Sequence, residues 1–214
     1  MKDRLTKTAY LQYLTCPNEF WLSLQPAKPD RQPETLEYEH LRQQGYEVER
    51  YVKMLNRFQA DETRSVDHQR IFQTSDLYAR SDIVVTDRQT GVIDIYEVKS
   101  SASVKPEHLD DVAFQKLVSE RSGAAVGRCF VVTMNGEYVR QGEIDPEQLF
   151  IINDVTVEMA GMLEDTEKQI AAARLCPGCE IGIFLAVQCL SEPLCTGGRV
   201  VEEGGEADSD QGNA

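Results

Sequence analysis

The stretches Leu77-Tyr78-Ala79-Arg80-Ser81-Asp82-Ile83-Val84-Val85-Thr86 and Val92-Ile93-Asp94-Ile95-Tyr96-Glu97-Val98-Lys99 decide how the chain is read. Both are rich in β-branched residues, and a polar turn ending in Gly91 joins them, which predicts a β-hairpin. A hairpin symmetric about Gln89-Thr90 sets Asp82 directly across from Glu97. Side chains alternate along a strand, so Lys99 shares the face of Glu97. One ladder then carries two carboxylates and an ammonium in a small area. Carboxylates a few ångströms apart repel unless positive charge stands between them, and a divalent cation is the usual solution. The register carries this reading. A slip of one residue moves Asp82 to the opposite face, and Glu-Xaa-Lys then describes an ordinary solvated charge set.

The flanking segments suggest helices on both sides of that hairpin. Residues 5–24 read as a helix with Thr6 as N-cap and Leu5, Tyr10, Leu11, Leu14 and Trp21 as its apolar side. Pro17 kinks or restarts it. Residues 25–34 hold Pro26, Pro29 and Pro33 and read as a loop. Residues 35–58 read as a long helix, with Leu41, Val48, Val52 and Leu55 at helical spacing and Gly45 a weak point. After the hairpin, Pro106 suits the first turn of a helix running to about Glu120. Residues 128–134 read as a buried strand, and Asp154 to Ala173 as an amphipathic helix. The order α, β, β, α, β, α predicts a mixed α/β layered domain. Residues 1–199 are expected to form it, and residues 200–214, rich in Gly and acid, to be a disordered tail.

With 214 residues, 41% of them hydrophobic and 27% charged, the composition is that of a folded domain. No apolar run approaches the roughly 20 residues needed to span a bilayer. The charged start, Met1-Lys2-Asp3-Arg4-Leu5, does not resemble an export signal, so a cytoplasmic protein with no membrane role is expected. Net charge is −14, and removing the five acids of the last 13 residues leaves −9. Such acidity disfavours nonspecific adhesion to DNA or anionic lipid. A nucleic-acid role therefore needs a local basic patch, bound cations, or both.

Asp82 and Glu97-Val98-Lys99 resemble the PD-(D/E)XK nuclease signature, with Ser81 where the Pro usually stands. The match is closest to the RecB-like branch. Its usual opening helix, with a Cys-Pro pair and an aromatic, is similar to Leu14-Thr15-Cys16-Pro17-Asn18-Glu19-Phe20-Trp21-Leu22. Its His or Glu four residues after a Gly corresponds to Glu49 after Gly45, and His40 lies upstream as a solvated residue. Its later Gln corresponds to Gln115 in Asp111-Val112-Ala113-Phe114-Gln115, although Ser119 replaces the Tyr that often follows. The resemblance implies a restriction-endonuclease-like core, a mixed β-sheet flanked by helices. It also implies a Mg²⁺- or Mn²⁺-dependent deoxyribonuclease, an exonuclease on single-stranded DNA or DNA ends. Repair, recombination or CRISPR spacer acquisition is its implied setting, with partner proteins of such a complex. By position, Glu49, Asp82, Glu97 and the Val98 carbonyl would hold metal. Lys99 would position the attacking water, and Gln115 would fix the lysine or the DNA backbone. Metal would lower the pKa of bound water, so no histidine base is required.

Of six cysteines, Cys176, Cys179, Cys189 and Cys195 fall within 20 residues, while Cys16 lies about 160 residues earlier. This split resembles RecB-like nucleases such as AddB, exonuclease V and the CRISPR spacer-acquisition nucleases, where four thiolates hold a [4Fe–4S] cluster joining the chain ends. Cys16 with Cys176, Cys179 and Cys195, or with Cys179, Cys189 and Cys195, would complete such a set. A four-thiolate zinc site in a non-catalytic DNA-binding or scaffolding module of the same fold is the alternative. Cys129, inside an apolar strand, reads as core. Tyr10, Tyr13, Phe20 and Trp21 read as packing of the first helix rather than as base-stacking groups. Lys99, Lys105, His108, Lys116 and Arg121 read equally well as a phosphate-tracking stripe or as a solvated helix face for the last four.

Overall fold

Strand β3 (Leu77–Asp87) organises the sheet. In the computed structural model, which describes residues 4–24 and 36–175, it has partners along both edges. One edge pairs over its length with the antiparallel strand β2 (Arg64–Gln73). The other is shared. The two-residue strand β1 (Leu5–Thr6) pairs in parallel with Leu77 and Tyr78. Strand β4 (Ile93–Val98) pairs antiparallel from Ile83 opposite Tyr96 to Thr86 opposite Ile93. That is the register expected from the sequence, and its last pair, Ile83 with Tyr96, stops one step short of Asp82 and Glu97. Residues 79–82 of β3 have no strand beside them on this edge among the described residues. β4 then pairs in parallel with β5 (Val126–Met134), which pairs antiparallel with β6 (Phe150–Asp154).

Helices cover both faces of the six-stranded mixed sheet, giving the mixed α/β architecture that the sequence predicts. On one face lie α1 (Lys7–Thr15), α2 (Pro17–Leu24), α4 (Pro106–Arg121) and α6 (Thr156–Leu175). Tyr10, Phe20, Val112, Phe114, Met159 and Ile170 pack there against Val84, Ile95 and Val131. On the other face lie α3 (Leu36–Val52), a single turn at Asn56–Phe58 and the short α5 (Pro146–Leu149). There Val52, Leu55 and Phe58 pack on Ile83, Tyr96 and Phe130.

Local chemistry accounts for these boundaries. Thr6 caps α1 by accepting from the Ala9 amide at 3.2 Å. Residues 5–24 are thus a strand and two helices, because Pro17 restarts the helix after the extended Cys16. The turn after β3 is held by Asp87, whose carboxylate accepts from the amides of Gln89 and Thr90 at 2.9 and 2.7 Å. It closes on Gly91 at φ +73°, a conformation suited to glycine. The expected helix over 35–58 ends at Val52, and the single turn at Asn56–Phe58 follows. Strands β2 and β6 were not foreseen. β2 is a half-exposed edge strand without apolar alternation, and β6 is only five residues long. Residues 25–35 and 176–214, including the acidic tail, lie outside the described residues. Among the described residues, no helix is long and apolar enough to cross a membrane.

Ser81, at the usual Pro position, is fully buried, and its Oγ has no hydrogen-bond partner among the described residues. Burying an unpaired hydroxyl is costly. Ser81→Ala is expected to raise unfolding stability by about 1 kcal/mol in a denaturant titration; a loss of similar size would show that the hydroxyl is paired.

Candidate functional site

Where β4 leaves β3, its last residue is held by a side chain rather than by the ladder. The Val98 amide donates to Asp82 Oδ2 at 2.9 Å. The pairing at Ile83 and Tyr96 therefore ends in a junction of three groups, with Asp82 beside Val98 and Glu97 one step past the last pair. A cleft of about 400 Å³ opens here, lined by Arg42, Tyr46, Glu49, Asp82, Glu97 and Lys99 together with Gly45, Val48, Val98 and Ser100. The sequence-predicted residues Glu49, Asp82, Glu97, Val98 and Lys99 thus share one cavity, drawn from α3, β3 and the end of β4.

The inner wall of the cleft is a charge cluster. Glu97 is 2% exposed and Asp111, from α4, 1% exposed. Lys99 Nζ lies 2.7 Å from Glu97 Oε1 and 2.5 Å from Asp111 Oδ2. Lys7, the first residue of α1, lies 3.1 Å from Glu97 Oε1 and 3.0 Å from Asp111 Oδ1. Gln115 Nε2 donates to Glu97 Oε2 at 2.7 Å and to Asp111 Oδ1 at 2.9 Å. Each ion pair at these separations contributes about 5 kcal/mol of attraction at an effective dielectric of about 20. Burial costs several kcal/mol per ion, and the two ammonium groups offset part of that cost.

The two acids are pushed in opposite directions. Burial, and then the charges of Asp82 and Asp111, drive the Glu97 carboxyl up to about 8 against the pull of Lys7 and Lys99. Burial also opposes ionisation of Asp111, but Lys7 and Lys99 outweigh it and hold that carboxyl well below the usual range. Burial would lower Lys99, yet Glu97 and Asp111 raise it above an ordinary lysine. Lys99 is therefore an ammonium at neutral pH, a donor rather than a base.

The outer wall is a second arrangement. Gln69, on β2, donates from Nε2 to Glu49 Oε1 at 2.9 Å and to Asp82 Oδ1 at 3.2 Å. One amide nitrogen thus stands between two carboxylates, where a cation would stand. Glu49 also meets Lys53 at 3.5 Å. Among the described residues no three His, Cys, Asp or Glu side chains are gathered closely enough to hold a metal ion by themselves. The oxygen donors of Glu49 and Asp82, with Glu97 and the Val98 carbonyl in the same cleft, suit a hard cation that keeps part of its water shell.

Three site residues escaped the sequence reading. Asp111 stands four residues before Gln115 and so faces the same way on α4, a spacing that could have found it. Lys7 is 90 residues from Glu97 and carries no local signal. Gln69 lies in the polar run Asp67-His68-Gln69-Arg70. Gln115 is fully buried and donates to Glu97 and Asp111, the two carboxylates that hold Lys99. The residues of the expected basic stripe on α4 each meet a partner of their own. Lys116 pairs with Glu120, Arg121 with Glu167 and Lys105 with Glu107, while His108 is buried and accepts from the Lys105 amide. His40 is exposed beside Gln44, and Cys129 is fully buried core. Tyr10 and Phe20 are core, and Tyr13 meets Phe20 edge-on. Cys16 is buried at the junction of α1 and α2, whereas Cys176, Cys179, Cys189 and Cys195 lie outside the described residues.

No family model matches the chain, and no curated protein does. Among solved structures, it is similar to one described as a "Putative exonuclease" from Eubacterium rectale, at 15% identity and TM-score 0.44, over 86% of this chain and 88% of that one. It is also similar to a protein designated SSO0001, at 12% identity and TM-score 0.34, over 79% and 76% of the two chains.

A carboxyl raised on folding stabilises the fold while protonated. For Glu97 that contribution is complete below the ordinary value of 4.5 and is lost as pH rises through about 8. The opposite contribution of Asp111 is lost only in acid. In chelator, the melting temperature of the wild type is expected to fall relative to Glu97→Gln as pH rises across that window. Mn²⁺ is expected to restore it, because a cation binds the ionised form. Parallel pH profiles for the two proteins would contradict this.

Proposed function

We propose that the protein is a Mg²⁺- or Mn²⁺-dependent deoxyribonuclease. The observation that carries the proposal is the convergence of Glu49, Asp82, Glu97 and a protonated Lys99 on one cleft at the end of β4. Glu49, Asp82, Glu97 and the Val98 carbonyl would hold the metal. A bound metal supplies charge to the scissile phosphate and lowers the pKa of water. Lys99, held between Glu97 and Asp111, orients the attacking water and offsets charge that develops on phosphorus. Gln115 and Lys7 fix the carboxylates that position it. Exposed Tyr46 and the Arg42 guanidinium, at the rim, suit stacking on an unpaired base and contact with a phosphate. Exonuclease action on single strands or DNA ends, in repair, recombination or CRISPR spacer acquisition, belongs to the same reading. So does a [4Fe–4S] cluster using Cys16 and three of the later cysteines.

Anaerobically purified protein is expected to release nucleotides from labelled single-stranded DNA only with Mg²⁺ or Mn²⁺. Lys99→Ala and Asp82→Ala should each lower the rate by at least about 10²-fold. Brown protein with broad visible absorbance supports the cluster; colourless protein with stoichiometric zinc supports the structural alternative. Wild-type protein that binds DNA without cutting it is the non-catalytic module. Cleavage that survives both substitutions arises elsewhere.

A further inference from the structure

Gln69 is the only non-glycine residue with positive φ among the described residues, at +56° in the middle of a strand. β2 and β3 pair in one continuous register from Arg64 opposite Asp87 to Gln73 opposite Tyr78, and the ladder misses a single position, Gln69 opposite Asp82. No residue is inserted there, so the interruption is not a bulge that corrects register. An unbranched polar side chain gains nothing from this backbone by itself, and such outliers persist where the surrounding structure imposes them. What Gln69 gains is the contact of its amide nitrogen with both Glu49 and Asp82.

We propose that Gln69 is a ligand of the cation site: its amide nitrogen meets both Glu49 and Asp82, and with the amide turned over its Oε1 would face a divalent cation held by those carboxylates. The assignment rests on the metal-dependent reading of the cleft. An amide carries a donor and an acceptor on opposite sides of one rotatable bond, so a half-turn about it exchanges the two with little cost. In one orientation the nitrogen relieves the repulsion between the carboxylates. In the other, a neutral oxygen joins two charged ones around a hard cation. The left-handed backbone at position 69 is the device that takes the residue out of the ladder and over Asp82.

Titration of the full chain with Mn²⁺ alone, by calorimetry and by the melting-temperature shift that Mn²⁺ induces, tests this. Gln69→Ala and Gln69→Gly are each expected to weaken Mn²⁺ binding by about tenfold or more. The glycine variant relaxes the strained backbone and so remains folded. Gln69→Glu keeps an oxygen ligand but places a third carboxylate beside Glu49 and Asp82. It should lower the melting temperature in chelator, enlarge the shift caused by Mn²⁺, and bind Mn²⁺ at least as tightly as wild type. Wild-type affinity in the alanine and glycine variants, or a glutamate variant that binds no better than alanine, would overturn the assignment while leaving the cation site intact. A wild-type protein that binds no Mn²⁺ would overturn the site and this assignment together.

Discussion

Two carboxylates taken out of water tie elements of this structure to one another. Glu97 ends the central hairpin and Asp111 lies one turn before Gln115 on α4. Lys7 and Lys99 both reach each of them and offset part of the cost of burial. Lys7 comes from the start of α1, so the first described helix is tied to the middle of the sheet through charge as well as through the stacking of Tyr10 on Phe114. A buried ionic network of this kind adds little to net stability compared with apolar packing. Its geometry ties α1, β4 and α4 to one another through Lys7, Glu97, Lys99 and Asp111.

The same constraint explains why the cleft lies where it does. Because β1 and β4 share one edge of β3 without meeting, residues 79–82 face a gap instead of a neighbouring strand. Lys7 enters that gap from the β1 side and Glu97 from the β4 side. Asp82 satisfies the last amide of β4 with one oxygen and meets Gln69 with the other. α3 crosses the opposite face and brings Glu49 to the rim. The cleft therefore sits at the carboxyl end of a sheet strand, with Lys99 anchored at two points.

Much of this was legible in the sequence because the hairpin is local. The polar turn from Asp87 to Gly91 fixed a register, and the register fixed which faces Asp82, Glu97 and Lys99 share. Glu49 and Gln115 were found through motif resemblance, and their convergence on Glu97 and Asp82 is a tertiary fact. Strand β2 was not legible. Only Val66, Ile71 and Phe72 are apolar in it, and pairing with β3 stabilises it more than burial does. Missing β2 meant missing Gln69. Lys7 was invisible for another reason: a single lysine in the first turn of a helix carries no pattern, and its role depends on a partner 90 residues away. The apparent basic stripe on α4 misled because a sequence does not show that Glu107, Glu120 and Glu167 already neutralise Lys105, Lys116 and Arg121.

The proposed nuclease requires acidic groups from α3, β3 and β4 to share one cation beside the Lys99 ammonium. Anomalous X-ray scattering from crystals grown with Mn²⁺ tests it most directly. Manganese density in the cleft is expected within about 2.2 Å of oxygens of Glu49, Asp82 and Glu97, with Lys99 still at Asp111. Manganese bound only elsewhere on the acidic surface, with those three side chains turned apart, would contradict it.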